Sequence, residues 1–149
     1  MLDPDFRDLL AAFASCGVEY LVVGGYAVGY HTRPRFTKDI DLWVRDTPEN
    51  LRRIHDALVM FGAPETVLDA VSRGRSDEII WFGVSPSRVD LLRLIDGGVF
   101  DVAYPRREQA DWEGVAVSII GIEDLISAKR AAGRAQDKLD LTALERVRK

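Results

Sequence analysis

The stretch VVGGYAVGYHTRPRFTKDIDLWV, residues 22–44, decides how this chain is read. An apolar strand runs into a glycine pair, Gly24 and Gly25. Four basic residues follow, His31, Arg33, Arg35 and Lys38, and then two aspartates, Asp39 and Asp41, alternate with Ile40 and Leu42. Side chains two apart on a strand share a face, so the two carboxylates are expected to project together. Paired carboxylates repel one another unless positive charge sits between them. A divalent ion is the natural counter-charge, and hard oxygen ligands suit magnesium or manganese. Taken alone, the D-x-D triplet reads more readily as a solvated strand edge, and it is the surroundings that reverse that reading.

Gly24 and Gly25 close a buried strand and open a helix, where backbone amides can approach a phosphate and the helix end carries partial positive charge. The pair is neither a P-loop, since no Gly-Lys-Ser/Thr follows, nor a dinucleotide fingerprint, since Gly24, Gly25 and Gly29 do not fit G-x-G-x-x-G. Four basic residues in a chain of net charge -4 suit an anion such as a triphosphate. A solvated basic loop is the competing reading. His31 reads as a helix-end or packing residue, because two histidines in the chain make no catalytic pattern.

Outward from this segment the chain alternates helices and strands. Phe6, Leu9, Leu10 and Phe13 mark a helix over residues 5–16 that ends at Gly17, and residues 19–23 read as a buried strand. A helix of one or two turns over residues 26–31 stops before Pro34. Thr47-Pro48 opens a helix that buries Leu51, Ile54, Leu58 and Phe61, and a shorter helix covers residues 65–72. Residues 78–84 and 88–94 read as two strands joined by Ser85-Pro86-Ser87, and residues 115–120 as another. The tail, residues 123–147, reads as two helices joined near Gly133. Asp90 stands inside the apolar run VDLLRL, where nothing local explains it. If its strand pairs beside that of Asp41, three carboxylates converge, enough to hold metal ions for phosphoryl or nucleotidyl transfer. Asp96 and Asp101 lie past the strand and are weaker choices.

The 149 residues, 47% hydrophobic and 30% charged, suit one α/β domain over residues 1–149 with a real core. The acidic balance excludes a protein that coats nucleic acid by charge alone. A single cysteine, Cys16, in an apolar helical run excludes an internal disulfide and a cysteine metal cluster. The acidic start has no signal-peptide character and no apolar run approaches a membrane span, so a cytoplasmic location is expected.

The combination of GGYAV, R-x-T-x-D-I-D and a later strand aspartate resembles the polymerase-β-like nucleotidyltransferase superfamily. Within it the chain resembles the small bacterial branch that includes the AbiEii-type toxins. Arg35, Thr37, Asp39, Ile40 and Asp41 meet the R-x-T-x-D-[IL]-D form, and IEDLISAKRAAGRAQDKLDL looks like the C-terminal lysine–arginine–aspartate element, with Lys129, Arg134, Asp137 and Asp140 in place. The likeness spans residues 20–140. It implies an α/β (α+β) mixed sheet flanked by helices, in one domain with a helical C-terminus. It implies a Mg2+- or Mn2+-dependent transfer of a nucleoside monophosphate from an NTP such as ATP to an acceptor hydroxyl. The acceptor classes are tRNA, a protein or a small molecule, and the setting is a toxin–antitoxin or defence system.

On this likeness Asp39, Asp41 and Asp90 are the catalytic, metal-holding carboxylates. Gly24, Gly25, Arg35, Thr37, Lys38 and Lys129 contact the nucleotide. Tyr26, Tyr30 and Trp43 are candidates for stacking on a base, with core packing favoured for Trp43. Toxins of that branch are larger, so the acceptor surface is expected from the core itself, a second copy or a partner protein. Two other readings stay open: an inactive nucleotide-binding module of the same fold acting through a partner, and a non-enzymatic protein whose acids pair with Arg33, Arg35 and Lys38. For Lys129, Asp137 and Asp140 surface ion pairing competes with a role in phosphate or acceptor contact.

Overall fold

A computed structural model describes residues 2–34 and 39–148. Helix α1 (Pro4–Ser15) starts where the Asp3 side chain accepts the Asp5 backbone N–H at 2.8 Å, with Pro4 free of any donor to satisfy. Its buried stripe is Phe6, Leu9, Leu10, Ala12 and Phe13. Strand β1 (Tyr20–Val23) leads directly into α2 (Gly24–His31), so the glycine pair forms the first turn of that helix. Strand β2 (Ile40–Val44) follows. Helix α3 (Pro48–Phe61) is capped by the Thr47 hydroxyl, which accepts the Asn50 N–H at 3.2 Å, and it ends on left-handed Gly62. Helix α4 (Glu65–Arg73), β3 (Ile80–Phe82) and β4 (Val89–Leu92) come next. A short helix α5 (Phe100–Ala103) and a 3-10 turn (Tyr104–Arg106) precede the hairpin of β5 (Glu108–Trp112) and β6 (Val115–Ile119). Helices α6 (Ile122–Ala132) and α7 (Ala135–Arg148) pack together across Gly133.

The six strands form one mixed sheet in the order β3-β4-β2-β1-β6-β5. Its parallel junctions are β2 with β4 and β1 with β6; the other neighbours run antiparallel. This is the α+β mixed sheet flanked by helices that the sequence predicts. Three elements differ from expectation. Strand β5 and the α5 turn have no counterpart in the sequence reading. The buried face of α3 is Asn50, Ile54, Ala57 and Leu58, with Leu51 and Phe61 only half-buried. Asn50 is 1% exposed because it bonds three backbone groups: its Oδ1 accepts the Glu19 N–H at 2.8 Å, and its Nδ2 donates to the Glu19 and Arg45 carbonyls, each at 2.9 Å. The side chain thereby ties the entry to β1 and the exit from β2 onto α3.

Strand alternation gives the sheet two unlike faces. Tyr20, Val22, Ile40, Leu42, Val89, Leu91, Ile80 and Phe82 share one face, where Phe13 of α1 meets Tyr20 and Phe61 of α3 meets Phe82. The eight strand residues are all buried. The other face carries Val23, Asp41 and Trp43, then Asp90 and Leu92, then Trp81. Trp43 is covered on that side by the edge of Phe100, at a centroid distance of 5.2 Å.

Candidate functional site

The site grows from one row across four strands. Val23 pairs with Asp41, Asp41 with Asp90, and Asp90 with Trp81. Residues directly opposite on adjacent strands project to one side, so parallel pairing of β2 and β4 sets the two carboxylates beside each other. Asp41 shares a hydrogen bond with Asp90. Its pKa is pushed up to about 7, first by burial, then by that bond and by the charges of Asp90 and Asp39; the Lys129 charge pulls it partly back.

Gly24 closes the row at its other end. Its φ of +66° lies in the left-handed region, and a Cβ there would stand 2.1 Å from Asp41 Oδ2. Only glycine lets the backbone come so near the carboxylate. The first turn of α2 therefore opens beside Asp41, its unbonded N–H groups adding partial positive charge at that end.

Asp39 stands one residue ahead of β2, and its Oδ1 accepts the Ser85 hydroxyl at 2.9 Å. Asp90 Oδ1 accepts from Arg88 Nε at 2.9 Å. Among the described residues no group of three or more His, Cys, Asp or Glu is gathered so as to hold a metal ion. The fit to magnesium or manganese therefore rests on the Asp41–Asp90 pair, and it is adequate on chemical grounds. Such ions commonly take one or two protein carboxylates and complete their shell with water and phosphate oxygens. Arg35, Thr37 and Lys38, expected near the phosphates, lie outside the described residues.

The C-terminal element is not a set of surface ion pairs. Asp137 and Asp140 are each 2% exposed, and Lys129 Nζ stands 3.2 Å from Asp137 Oδ1 and 3.1 Å from Asp140 Oδ2. Arg134 adds two bonds to Asp137 Oδ2, from Nε at 2.7 Å and from its backbone N–H at 3.1 Å. The Arg134 bond foremost, with help from Lys129, holds the Asp137 pKa at about 2. Gln136 Nε2 donates to Asp140 Oδ1 at 3.0 Å. Helices α6 and α7 both touch α2, and the charges of Lys129 and Arg134 interact with Asp41. The fold thus brings residues some 90 positions apart in sequence, Asp41 and Lys129, to one place.

Other expected residues divide. His31 is a packing residue, its Nε2 lying 2.7 Å from the Ile120 carbonyl, and Arg33 is exposed. Asp101 is ion-paired to Arg45. Tyr26 packs edge-on against Phe6, and Trp43 is buried. Sequence reasoning passed over Trp81, Ser85 and Arg88, all of which border the carboxylates. The signal for Trp81 was its place between buried Ile80 and Phe82, which turns it to the opposite face. A cleft of about 580 Å³ lined by Asp46, Arg52, His55 and Arg93 lies past the C-terminal ends of β2 and β4, away from the carboxylates near their starts. No helix among the described residues is long and apolar enough to cross a membrane. Comparison with protein-family models and with curated proteins finds no match for the chain.

Proposed function

We propose that this chain is a metal-dependent nucleotidyltransferase that moves a nucleoside monophosphate from an NTP to an acceptor hydroxyl. The observation that carries this reading is the in-register pair of Asp41 and Asp90, bonded to each other on adjacent parallel strands, with the Gly24 backbone closed against Asp41. Asp41 and Asp90 would hold the ion, with Asp39 adjoining. With magnesium or manganese bound there, the α-phosphate would be polarised and the charge developing on the departing oxygen would be offset.

The chain's own residues account for the rest. The N–H groups of the first turn of α2 face the triphosphate and favour its charge. Lys129, fixed by Asp137 and Asp140, contributes a positive charge beside Asp41. Asp90 accepts the proton of the acceptor hydroxyl. The acceptor oxygen forms a bond to the α-phosphorus as the bond from that phosphorus to the bridging oxygen breaks, and pyrophosphate leaves with the electron pair. Arg88, donating to Asp90, holds that carboxylate in place.

A second reading rests on a specific observation: Asp39 and Asp90 already accept bonds from Ser85 and Arg88. Acids so engaged suit an inactive nucleotide-binding module that works through a partner protein. One experiment separates the two. The protein is incubated with each α-labelled NTP, Mg2+ or Mn2+ and a bacterial extract, and the RNA, protein and small-molecule fractions are counted, with Asp41→Asn as control. Label in one fraction, lost in the variant, supports the transferase and identifies its acceptor class. Magnesium-dependent NTP binding without label supports the module. Neither label nor binding refutes both.

A further inference from the structure

We propose that Trp81, steadied by Arg88, is a stacking platform for a nucleobase at the outer end of the carboxylate row; the inference rests on the nucleotidyltransferase reading and adds the recognition surface that it lacks. The geometry is independent of any motif. Trp81 is the direct cross-strand neighbour of Asp90, which is the neighbour of Asp41, so all three side chains leave the sheet on one face. Neighbouring strands lie roughly 4.8 Å apart, which puts Trp81 about 10 Å from Asp41 along the row. A nucleoside spans that interval from its phosphate-bearing carbon to its base.

Trp81 is 55% exposed, an unusual state for the largest side chain on a three-residue edge strand. Ile79, just ahead of the strand, is also exposed at 56%. The indole is nevertheless held in orientation. Arg88 lies over it at 4.5 Å from the ring centroid while donating through Nε to Asp90. One side chain thus ties the aromatic plane to the carboxylate that faces the reacting atoms. The earlier candidates for stacking are engaged elsewhere: Trp43 lies beneath Phe100, Tyr26 between Phe6 and Trp112, and Tyr30 against His31. Trp81 joins a half-exposed ring, one face of it taken by the Arg88 guanidinium and the other left for a base, to the carboxylate face.

The position within the row also has a direction. Gly24 marks the end where the triphosphate is received, and Trp81 stands beyond Asp90, on the opposite side of Asp41. In an in-line displacement the acceptor enters opposite the departing pyrophosphate, which is the Asp90 side. The stacked base therefore belongs either to the NTP or to the terminal nucleotide of an RNA acceptor. A π-face serves both sources, and stacking of this kind tolerates every base.

The test compares wild type with Trp81→Ala and Trp81→Phe by isothermal titration calorimetry in Mg2+, using each NTP, inorganic tripolyphosphate and a short single-stranded RNA. Trp81 is exposed, and circular dichroism checks that the variants fold. The expected result is a loss of about 5- to 150-fold in Trp81→Ala for one base-bearing probe, with partial recovery in Trp81→Phe and no change for tripolyphosphate. A loss confined to the NTPs assigns the platform to the donor, and a loss confined to RNA assigns it to the acceptor. NTP binding that Asp41→Asn abolishes but Trp81→Ala leaves unchanged, with RNA unchanged too, overturns the platform and spares the transferase reading. Absence of binding by every probe to every protein overturns both.

Discussion

Replacing Asp41 by asparagine should stabilise the metal-free protein at neutral pH. Burial and the facing Asp90 raise the folded-state pKa of Asp41 from 3.8 to about 7. The folded state thus holds this proton more tightly than the unfolded chain does. Stability from this group is complete below pH 4, falls as pH rises, and is lost above about pH 7. The interval corresponds to about 4 kcal/mol at about 1.4 kcal/mol per tenfold change in proton affinity. Asp41 keeps some contact with water, which screens part of that, so a difference of about 2 to 4 kcal/mol is expected. Asparagine carries no charge and can still donate to Asp90. Urea unfolding of both proteins in EDTA, at steps from pH 4.5 to 8, reads the effect directly. The Asp41→Asn advantage should be small at the acid end and grow steadily to neutrality. A variant equal to or weaker than wild type at pH 8, or an advantage that does not change with pH, refutes the reasoning. Adding Mg2+ at a hundredfold excess over its dissociation constant should return about 2.7 kcal/mol to wild type at pH 8 and little to the variant.

Other expectations follow from particular contacts. Gly24→Ala must leave the left-handed region or displace Asp41, since the new Cβ would fall 2.1 Å from Oδ2; a loss of about 1 to 3 kcal/mol by urea unfolding is expected, with nucleotide binding reduced in parallel. Asp137→Leu removes the carboxylate shared by Lys129 and Arg134 at the α6–α7 junction, leaving Lys129 with Asp140 alone, and should cost about 2 to 3 kcal/mol. Because the Asp137 pKa is held at about 2, its contribution of about 2 kcal/mol is present above pH 4 and disappears as pH falls towards 2, so the penalty of Asp137→Leu should shrink over that range of an acid titration. Asn50→Ala removes bonds to three backbone groups and should lower stability by about 2 kcal/mol or more, read as a shift of the urea midpoint without change in slope.

The helices and inner strands were legible because their chemistry is local. Thr47-Pro48 announces α3, Gly133 separates α6 from α7, and the apolar alternation of residues 40–44 is β2 itself. Strand β5 was not legible. It is an edge strand reading EQADW, so it has little apolar periodicity, and it turns back through Glu113 and Gly114, both at positive φ, instead of the Asn-Gly pair that marks most such hairpins. Asn50 was missing from the expected buried face of α3 for a related reason: a polar residue is buried there only because three backbone groups from other segments meet it.

Within the site, the acids were visible as misplaced charges in apolar runs, but their pairing was conditional on a parallel junction that no local pattern specifies. Long-range register, not motif, sets Asp41 against Asp90 and Trp81 beside Asp90. The same holds for Lys129. Its spacing of eight and eleven residues from Asp137 and Asp140 reads as surface pairing on a helix, yet the turn at Gly133 folds the two helices so that both carboxylates are buried around one ammonium group.

The account turns on whether a divalent ion and a triphosphate occupy the space between Asp41, Asp90 and Gly24. The most direct measurement is a crystal of the protein grown with Mn2+ and a non-hydrolysable NTP analogue, with diffraction recorded where manganese scatters anomalously. The account predicts an anomalous peak against the Asp41 and Asp90 carboxylates, with the triphosphate at the start of α2. Nucleotide bound elsewhere, such as the cleft beside Arg93, or no manganese at the carboxylate pair, would contradict it.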